Sequence, residues 1–270
     1  ASDGDGVKLL RVFGGAGPER FDPFLLLDEF GSDKADDYIG GFPPHPHRGF
    51  TTITYMLQGK MEHRDHMDNV GLLEDGGVQW MSAGKGVIHS EMPQQTAGKM
   101  RGFQLWLNLP ASEKMQPANY EDVPAETLPR YTVGNIGVKA IAGQAQIQGE
   151  EVKGYFQVDT TSPIYLDLAL PAGEEARITI PDTHNALLYT YDGELLLDDT
   201  NTPAPSQTLS RFDGNGDVHI RNSGTTTARA IFLAGLPLQE KVVQYGPFVM
   251  NTMEEIDQAL KDYRDGTLTH

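Results

Sequence analysis

Apolar and polar positions alternate in short runs along much of this chain, with glycine and proline as punctuation between them. Phe50-Thr-Thr-Ile-Thr-Tyr-Met-Leu57 places Ile53, Tyr55 and Leu57 on one side of an extended chain and Thr52 and Thr54 on the other. Phe103-Gln-Leu-Trp-Leu-Asn-Leu109 and Ile164-Tyr-Leu-Asp-Leu-Ala-Leu170 repeat the pattern. A period of two, broken up by 30 Gly and 17 Pro, predicts an all-β chain of sandwich or barrel type. One segment departs from it. Thr252 and Glu255 form a capping-box signature, and Ile256, Ala259, Leu260 and Tyr263 follow at helical spacing. That predicts a C-terminal helix docking its apolar stripe on a barrel, with no part in catalysis.

A short repeat suggests duplication. Tyr55-Met-Leu-Gln-Gly59 resembles Tyr189-Thr-Tyr-Asp-Gly193 about half the chain later, and an amphipathic strand follows each. The expected division is a first β-domain over 1–132, a second over 133–245 and a helical tail over 246–270. At that offset His45 and His47 correspond to Thr179 and Pro181, so the second domain is expected to lack their chemistry. His184 and His219 stand alone there.

The candidate chemistry lies in His45-Pro46-His47 and His89-Ser90-Glu91. On a strand, residues two apart point the same way, so each pair can converge on one point. Three imidazoles and one carboxylate suit Fe, Ni, Cu, Mn, Co or Zn. Gly84-Lys85-Gly86 permits a tight turn just before the strand that carries His89. His45 and His47 share the parity of Ile53 and Tyr55, which predicts that they point into the barrel if no bulge intervenes near Gly49. The charged run from Glu62 to Asp68 reads as a solvated hairpin edge. Phe13-Gly-Gly-Ala-Gly17 lacks the Lys of a phosphate loop and reads as a turn. Trp80 and Trp106, on β-patterned segments, are expected in the core. Nothing signals a Ser/His/Asp triad.

Composition narrows the field. With 270 residues and 39% hydrophobic content the chain can fill one large domain or two ordinary ones. A formal charge of −17 without any Lys/Arg cluster argues against direct nucleic-acid binding and against adhesion to anionic membranes. No apolar run is long enough to span a bilayer. The absence of Cys removes disulfides, thiolate ligands and a Cys nucleophile. These features, with no visible signal peptide, lead to the expectation of an acidic cytoplasmic protein.

Several longer motifs resemble the pirin family: Asp22-Pro-Phe-Leu-Leu-Leu-Asp-Glu-Phe30, Gly41-Phe-Pro-Pro-His-Pro-His-Arg-Gly-Phe50, the run from Gln79 through His89-Ser-Glu-Met92, Gln104-Leu-Trp-Leu-Asn-Leu109, and Tyr245-Gly-Pro-Phe-Val-Met-Asn-Thr252. The resemblance extends from about residue 8 to about residue 265. It implies a bicupin, two jelly-roll β-barrels of the cupin superfamily, with metal in the N-terminal one only. By motif position the implied ligands are His45, His47, His89 and Glu91. The implied metal is Fe(II), with Ni, Co, Mn, Cu and Zn as other occupants. Thr51 stands where many pirins have Glu, which puts any supporting role of that carboxylate in doubt but not the ligand set. Asp28, Phe30, Phe42 and Gln104 are implied to line a pocket above the metal.

Two functions follow from the resemblance. One is a quercetin 2,3-dioxygenase, opening a small aromatic flavonol with O₂ and using Glu91 as general base. The other is a non-enzymatic, iron-dependent regulator that binds a transcription factor or metabolic enzyme; here the negative charge would favour a basic partner surface.

Overall fold

The computed structural model describes residues 1–15, 21–197, 201–213 and 216–270. The chain divides into two compact units, Ala1–Ala125 with Leu238–His270, and Glu126–Pro237. The helical tail thus groups with the first barrel.

In the first unit the strands are β1 (Ser2–Asp3), β2 (Val7–Phe13), β3 (Phe24–Ser32), β4 (Phe42–His47), β5 (Phe50–Gln58), β6 (Met61–Asp65), β7 (Val70–Leu73), β8 (Val78–Ser82), β9 (Val87–Pro93), β10 (Met100–Asn108) and β11 (Asn119–Val123). They form a seven-stranded sheet in the order β1-β2-β3-β10-β5-β8-β11 and a four-stranded sheet in the order β4-β9-β6-β7. Consecutive strands switch repeatedly between the sheets, the wiring of a jelly roll. The switch from β4 to β5 occurs at Arg48-Gly49. Gly49 has φ +92°, and a Cβ there would overlap the Val249 carbonyl oxygen, so only glycine fits. This break corrects the parity expectation. Strand period does not carry across the turn, and on β5 it is Thr54, on the face opposite Ile53 and Tyr55, that reaches Glu91.

The second unit contains β12 (Arg130–Val133), β13 (Ile136–Ala142), β14 (Gln144–Ile147), β15 (Glu150–Lys153), β16 (Ile164–Leu170), β17 (Glu175–Thr179), β18 (Asn185–Asp192), β19 (Glu194–Leu197), β20 (Thr202–Pro205), β21 (Thr208–Phe212), β22 (Asp217–Arg221) and β23 (Ala228–Gly235). Its sheets run β12-β13-β16-β23-β18-β21 and β15-β14-β17-β22-β19-β20. The order β17-β22-β19-β20 repeats β4-β9-β6-β7, and β16-β23-β18-β21 repeats β3-β10-β5-β8. The fold is a bicupin. Tyr55 and Tyr189 lie on equivalent strands, each followed by a glycine of positive φ, Gly59 and Gly193. On β17 and β22, the counterparts of β4 and β9, Ala176, Ile178, Val218 and Ile220 are buried in one hydrophobic core. That barrel is filled by hydrocarbon where the first carries histidine.

The tail forms a hairpin, β24 (Val243–Tyr245) with β25 (Phe248–Met250), and then α1 (Met253–Arg264). The Thr252 hydroxyl accepts from the Glu255 amide at 3.2 Å, and Glu255 Oε2 accepts from the Thr252 amide at 2.9 Å, completing the capping box. Ile256 and Ala259 bury against Phe248, Met250 and Leu268, with Ile88 of β9 at the edge of that cluster. The helix therefore buttresses the strand that carries His89. Among the described residues no helix is long and apolar enough to cross a membrane. The expected glycine-rich turn begins after Phe13, and its Ala16 and Gly17 lie outside the described residues.

Candidate metal centre

Strands β4 and β9 pair antiparallel, with His45 opposite His89, His47 opposite Val87 and Phe42 opposite Glu91. A register irregularity falls between Phe42 and His45, at Pro43-Pro44, which have no amide hydrogens to hold a regular ladder. The turn before β9 comes at Gly84-Lys85, where Gly84 has φ +49° and a Cβ would overlap the Gln116 carbonyl oxygen. These local choices bring three imidazoles together. One ring nitrogen each of His45, His47 and His89 lies within 4.8 Å of the others.

The nitrogens sort by partner. His45 Nδ1 is 2.8 Å from the Pro43 carbonyl oxygen and donates to it, which leaves the lone pair on Nε2. His89 Nδ1 lies 3.4 Å from His63 Nδ1. His89 Nε2, both ring nitrogens of His47 and, behind them, His63 Nε2 are buried without a partner of hydrogen-bond geometry. Burial pushes the His47 imidazole well below its ordinary pKa, helped by His45 and only partly opposed by the Pro247 carbonyl. Burial does the same to His89, assisted by His47, His45 and His63. Neutral imidazoles with orphaned lone pairs aimed at one point are what a metal cation requires. The donor set fits such an ion.

Glu91 is placed differently. Its carboxylate is buried beside the group rather than within it, accepting from the Thr54 hydroxyl at 3.0 Å and from Gln104 Nε2 at 3.2 Å. Gln104 is oriented in turn by Trp106, whose Nε1 donates to Gln104 Oε1 at 3.3 Å. Thr51 is buried on β5 opposite Leu107 and Ser82.

A cavity of about 680 Å³ opens over the imidazoles, walled by Leu26, Phe42, Trp106 and Pro247, with Gln104, His45 and His47 also on its surface. Of the four residues expected to line it, Phe42 and Gln104 do so. Asp28 stands behind the wall and accepts from Arg11 Nε at 2.9 Å and Nη2 at 2.8 Å, and Arg11 itself borders the cavity. Burial pushes the Asp28 carboxyl up against the opposing pull of this guanidinium. Phe30 packs instead into a core with Tyr38, Met56, Met61 and Met100, its ring filling the space over Gly102 on the neighbouring strand.

Two sequence expectations are corrected here. Trp106 is a half-buried cavity wall rather than core, its ring tilted 33° against Phe50 with centroids 4.3 Å apart and edge-on to His47 at 5.5 Å. The run from Glu62 to Asp68 is only half a solvated edge. Glu62 and Arg64 pair outside, but His63 is 1% exposed and the Asp65 side chain is fully buried. The available signal was Met61, an apolar residue sharing the parity of both.

A sequence model of the family described as pirin matches residues 6–107, and one of the pirin C-terminal cupin domain matches residues 165–269. The chain belongs to the pirin family. It is 52% identical over 270 residues to a Pseudomonas aeruginosa protein whose name gives quercetin 2,3-dioxygenase as a provisional assignment, covering 99% of this chain and 94% of that one. A pirin-like protein of Caulobacter vibrioides is 45% identical over 266 residues, covering 98% and 94%. The crystal structure of a quercetin 2,3-dioxygenase from Acinetobacter baumannii superposes with a TM-score of 0.88 at 30% identity, covering 98% of this chain and 93% of that one. In this pirin, the three-imidazole group thus lies in the segment matched by the first family model, and most of the second barrel, with its hydrophobic core, in the segment that the C-terminal model covers.

Proposed function

We propose that this pirin holds one divalent transition metal, Fe(II) foremost, on the convergent His45, His47 and His89, with the adjacent Glu91 as fourth ligand, and opens a flavonol-like aromatic ring with O₂. The observation that carries this reading is the convergence of unpartnered imidazole nitrogens on the floor of an apolar cavity large enough for a small aromatic molecule. When bound, the metal supplies a Lewis acid with open positions and redox chemistry toward O₂. The chain's own residues do the rest. Phe42 and Trp106 offer aromatic faces that orient a planar ligand and exclude water. Glu91 accepts the proton of the ligand's hydroxyl, and Thr54 and Gln104 hold its two oxygens in place as it does so. The names of the relatives are consistent with this chemistry.

The test is metal analysis of protein purified without chelator or a nickel column, followed by an oxygen-electrode assay with quercetin. About one Fe per chain with quercetin-dependent O₂ uptake supports the reading. Metal without O₂ uptake moves the assignment to the iron-dependent regulator, for which the charge of −17 favours a basic partner surface.

A further inference from the structure

His63 and Asp65 lie on β6, paired with β9 so that His63 stands opposite Glu91 and Asp65 opposite His89. Neither borders the cavity. His63 Nδ1 is 3.4 Å from His89 Nδ1, and His63 Nε2 faces Asp65 Oδ2 at 3.7 Å. Tyr120 stacks on the His63 ring, with centroids 5.0 Å apart and planes 20° from parallel, which fixes its tilt. Asp65 is itself anchored. Its Oδ1 accepts from the amides of Met67 at 2.9 Å and Asn69 at 3.1 Å, and its Oδ2 accepts from Asn69 Nδ2 at 2.8 Å.

Two imidazoles meeting nitrogen to nitrogen need one donor and one acceptor. If His89 offers its Nε2 lone pair to a cation, its proton must sit on Nδ1, and His63 Nδ1 must accept it. The His63 proton then sits on Nε2, which lies 3.7 Å from the Asp65 carboxylate, within ion-pair range but beyond hydrogen-bond distance. Every member of this line has one permitted tautomer.

We infer that Asp65 and His63 are positioning residues of the metal centre, a buried relay that fixes the tautomer and ring orientation of His89. The inference rests on the proposed reading that His89 binds the metal. Groups that hold a ligating imidazole from behind characteristically change metal affinity by 10- to 100-fold when removed.

The experiment titrates Co(II) into wild-type protein and into His63→Phe, His63→Gln and Asp65→Asn, reading affinity by chelator competition and geometry by the visible spectrum. Phe keeps the ring volume but cannot accept a proton; Gln can accept through its amide oxygen. His63→Phe is expected to bind Co(II) roughly 10- to 100-fold more weakly with an altered spectrum, and His63→Gln to recover most of both. Asp65→Asn is expected to fall between wild type and His63→Phe. Wild-type affinity and spectrum in His63→Phe overturn the inference while leaving the metal site standing. If His63→Phe does not fold, Asp65→Asn decides, and an unchanged spectrum and affinity there overturn it. Failure of the wild-type protein itself to bind Co(II) overturns the metal reading, and the relay with it.

Discussion

Arg48 Nη1 donates to Asp262 Oδ2 at 2.8 Å, tying the residue after His47 to the C-terminal helix. The same guanidinium donates to the carbonyls of Lys85, beside the turn into β9, and of Leu268 at 3.2 Å. One buried cation thus fastens the ends of both ligand strands to the tail.

Asp262→Ala removes the counter-charge of a guanidinium whose side chain is only 4% exposed. Breaking a fully buried pair costs about 3–5 kcal/mol; Asp262 keeps some solvent contact, so about 2 kcal/mol is expected. A urea melt of the variant gives the number. The pH dependence has a definite sign. Burial tends to raise the Asp262 carboxyl, but hydrogen bonds from Arg48 and Gln258 outweigh it and hold the group below its ordinary value. Its contribution is therefore present above the unfolded value of about 4 and is lost as pH falls through the depressed native one. Asp262→Asn should flatten that acid limb.

Lys114 is buried beneath the same region, its Nζ donating to Gly49 O at 2.7 Å, Asn108 Oδ1 at 2.6 Å and Val249 O at 3.0 Å. Lys114→Met takes a donor from three buried acceptors, of which Asn108 Oδ1 keeps the Leu109 amide at 3.0 Å, and is expected to lower stability by about 2–4 kcal/mol. Burial pushes the Lys114 ammonium down to about 8, partly opposed by Glu240 and Glu255. Between that value and the unfolded one the denatured chain holds the extra proton, so wild-type stability gains on Lys114→Met as pH rises above about 8. Equal pH slopes in the two proteins would show that the ammonium is not desolvated.

Loading the site should stabilise the first barrel. At a hundredfold excess of metal over its Kd the gain is about 3 kcal/mol, seen as a fall in Tm when EDTA is added. His47→Ala and His89→Ala should melt at the same temperature with and without EDTA. A drop as large as wild type in either variant would mean that the ion binds elsewhere.

Trp106 and Phe42 present their rings to the cavity, so truncating them should weaken ligand binding more than chemistry. Stacking contacts contribute about 0.5–1.5 kcal/mol each, which corresponds to a rise in KM of roughly 2- to 10-fold for Phe42→Ala. Trp106→Ala additionally frees Gln104, and through it Glu91, so kcat should fall as well. Steady-state kinetics with quercetin separates the two; a pure KM effect in both variants would remove Gln104 from the proton-transfer argument.

Much of this was legible in the chain. Strand period put His45 with His47 and turned His89 and Glu91 to one side, although Glu91 falls outside the imidazole group, and the capping box at Thr252 marked the helix to its first residue. The Tyr55 and Tyr189 repeat pointed to two barrels because equivalent strands end in the same glycine turn. The misreadings share a cause. The strand parity of His45 failed at Gly49, where the chain changes sheets, and His63 looked solvated because its neighbours Glu62 and Arg64 are.

The sequence by itself determined the strands, the turns that only glycine permits and the side chains available to bind a metal, since these depend on neighbours along the chain. Tertiary structure decided which of them meet. Register between remote strands is set by burial summed over whole sheets rather than by local pattern. That register set His45 against His89, turned Glu91 toward Thr54 and Gln104, and brought His63 and Asp65 in behind the imidazole they face.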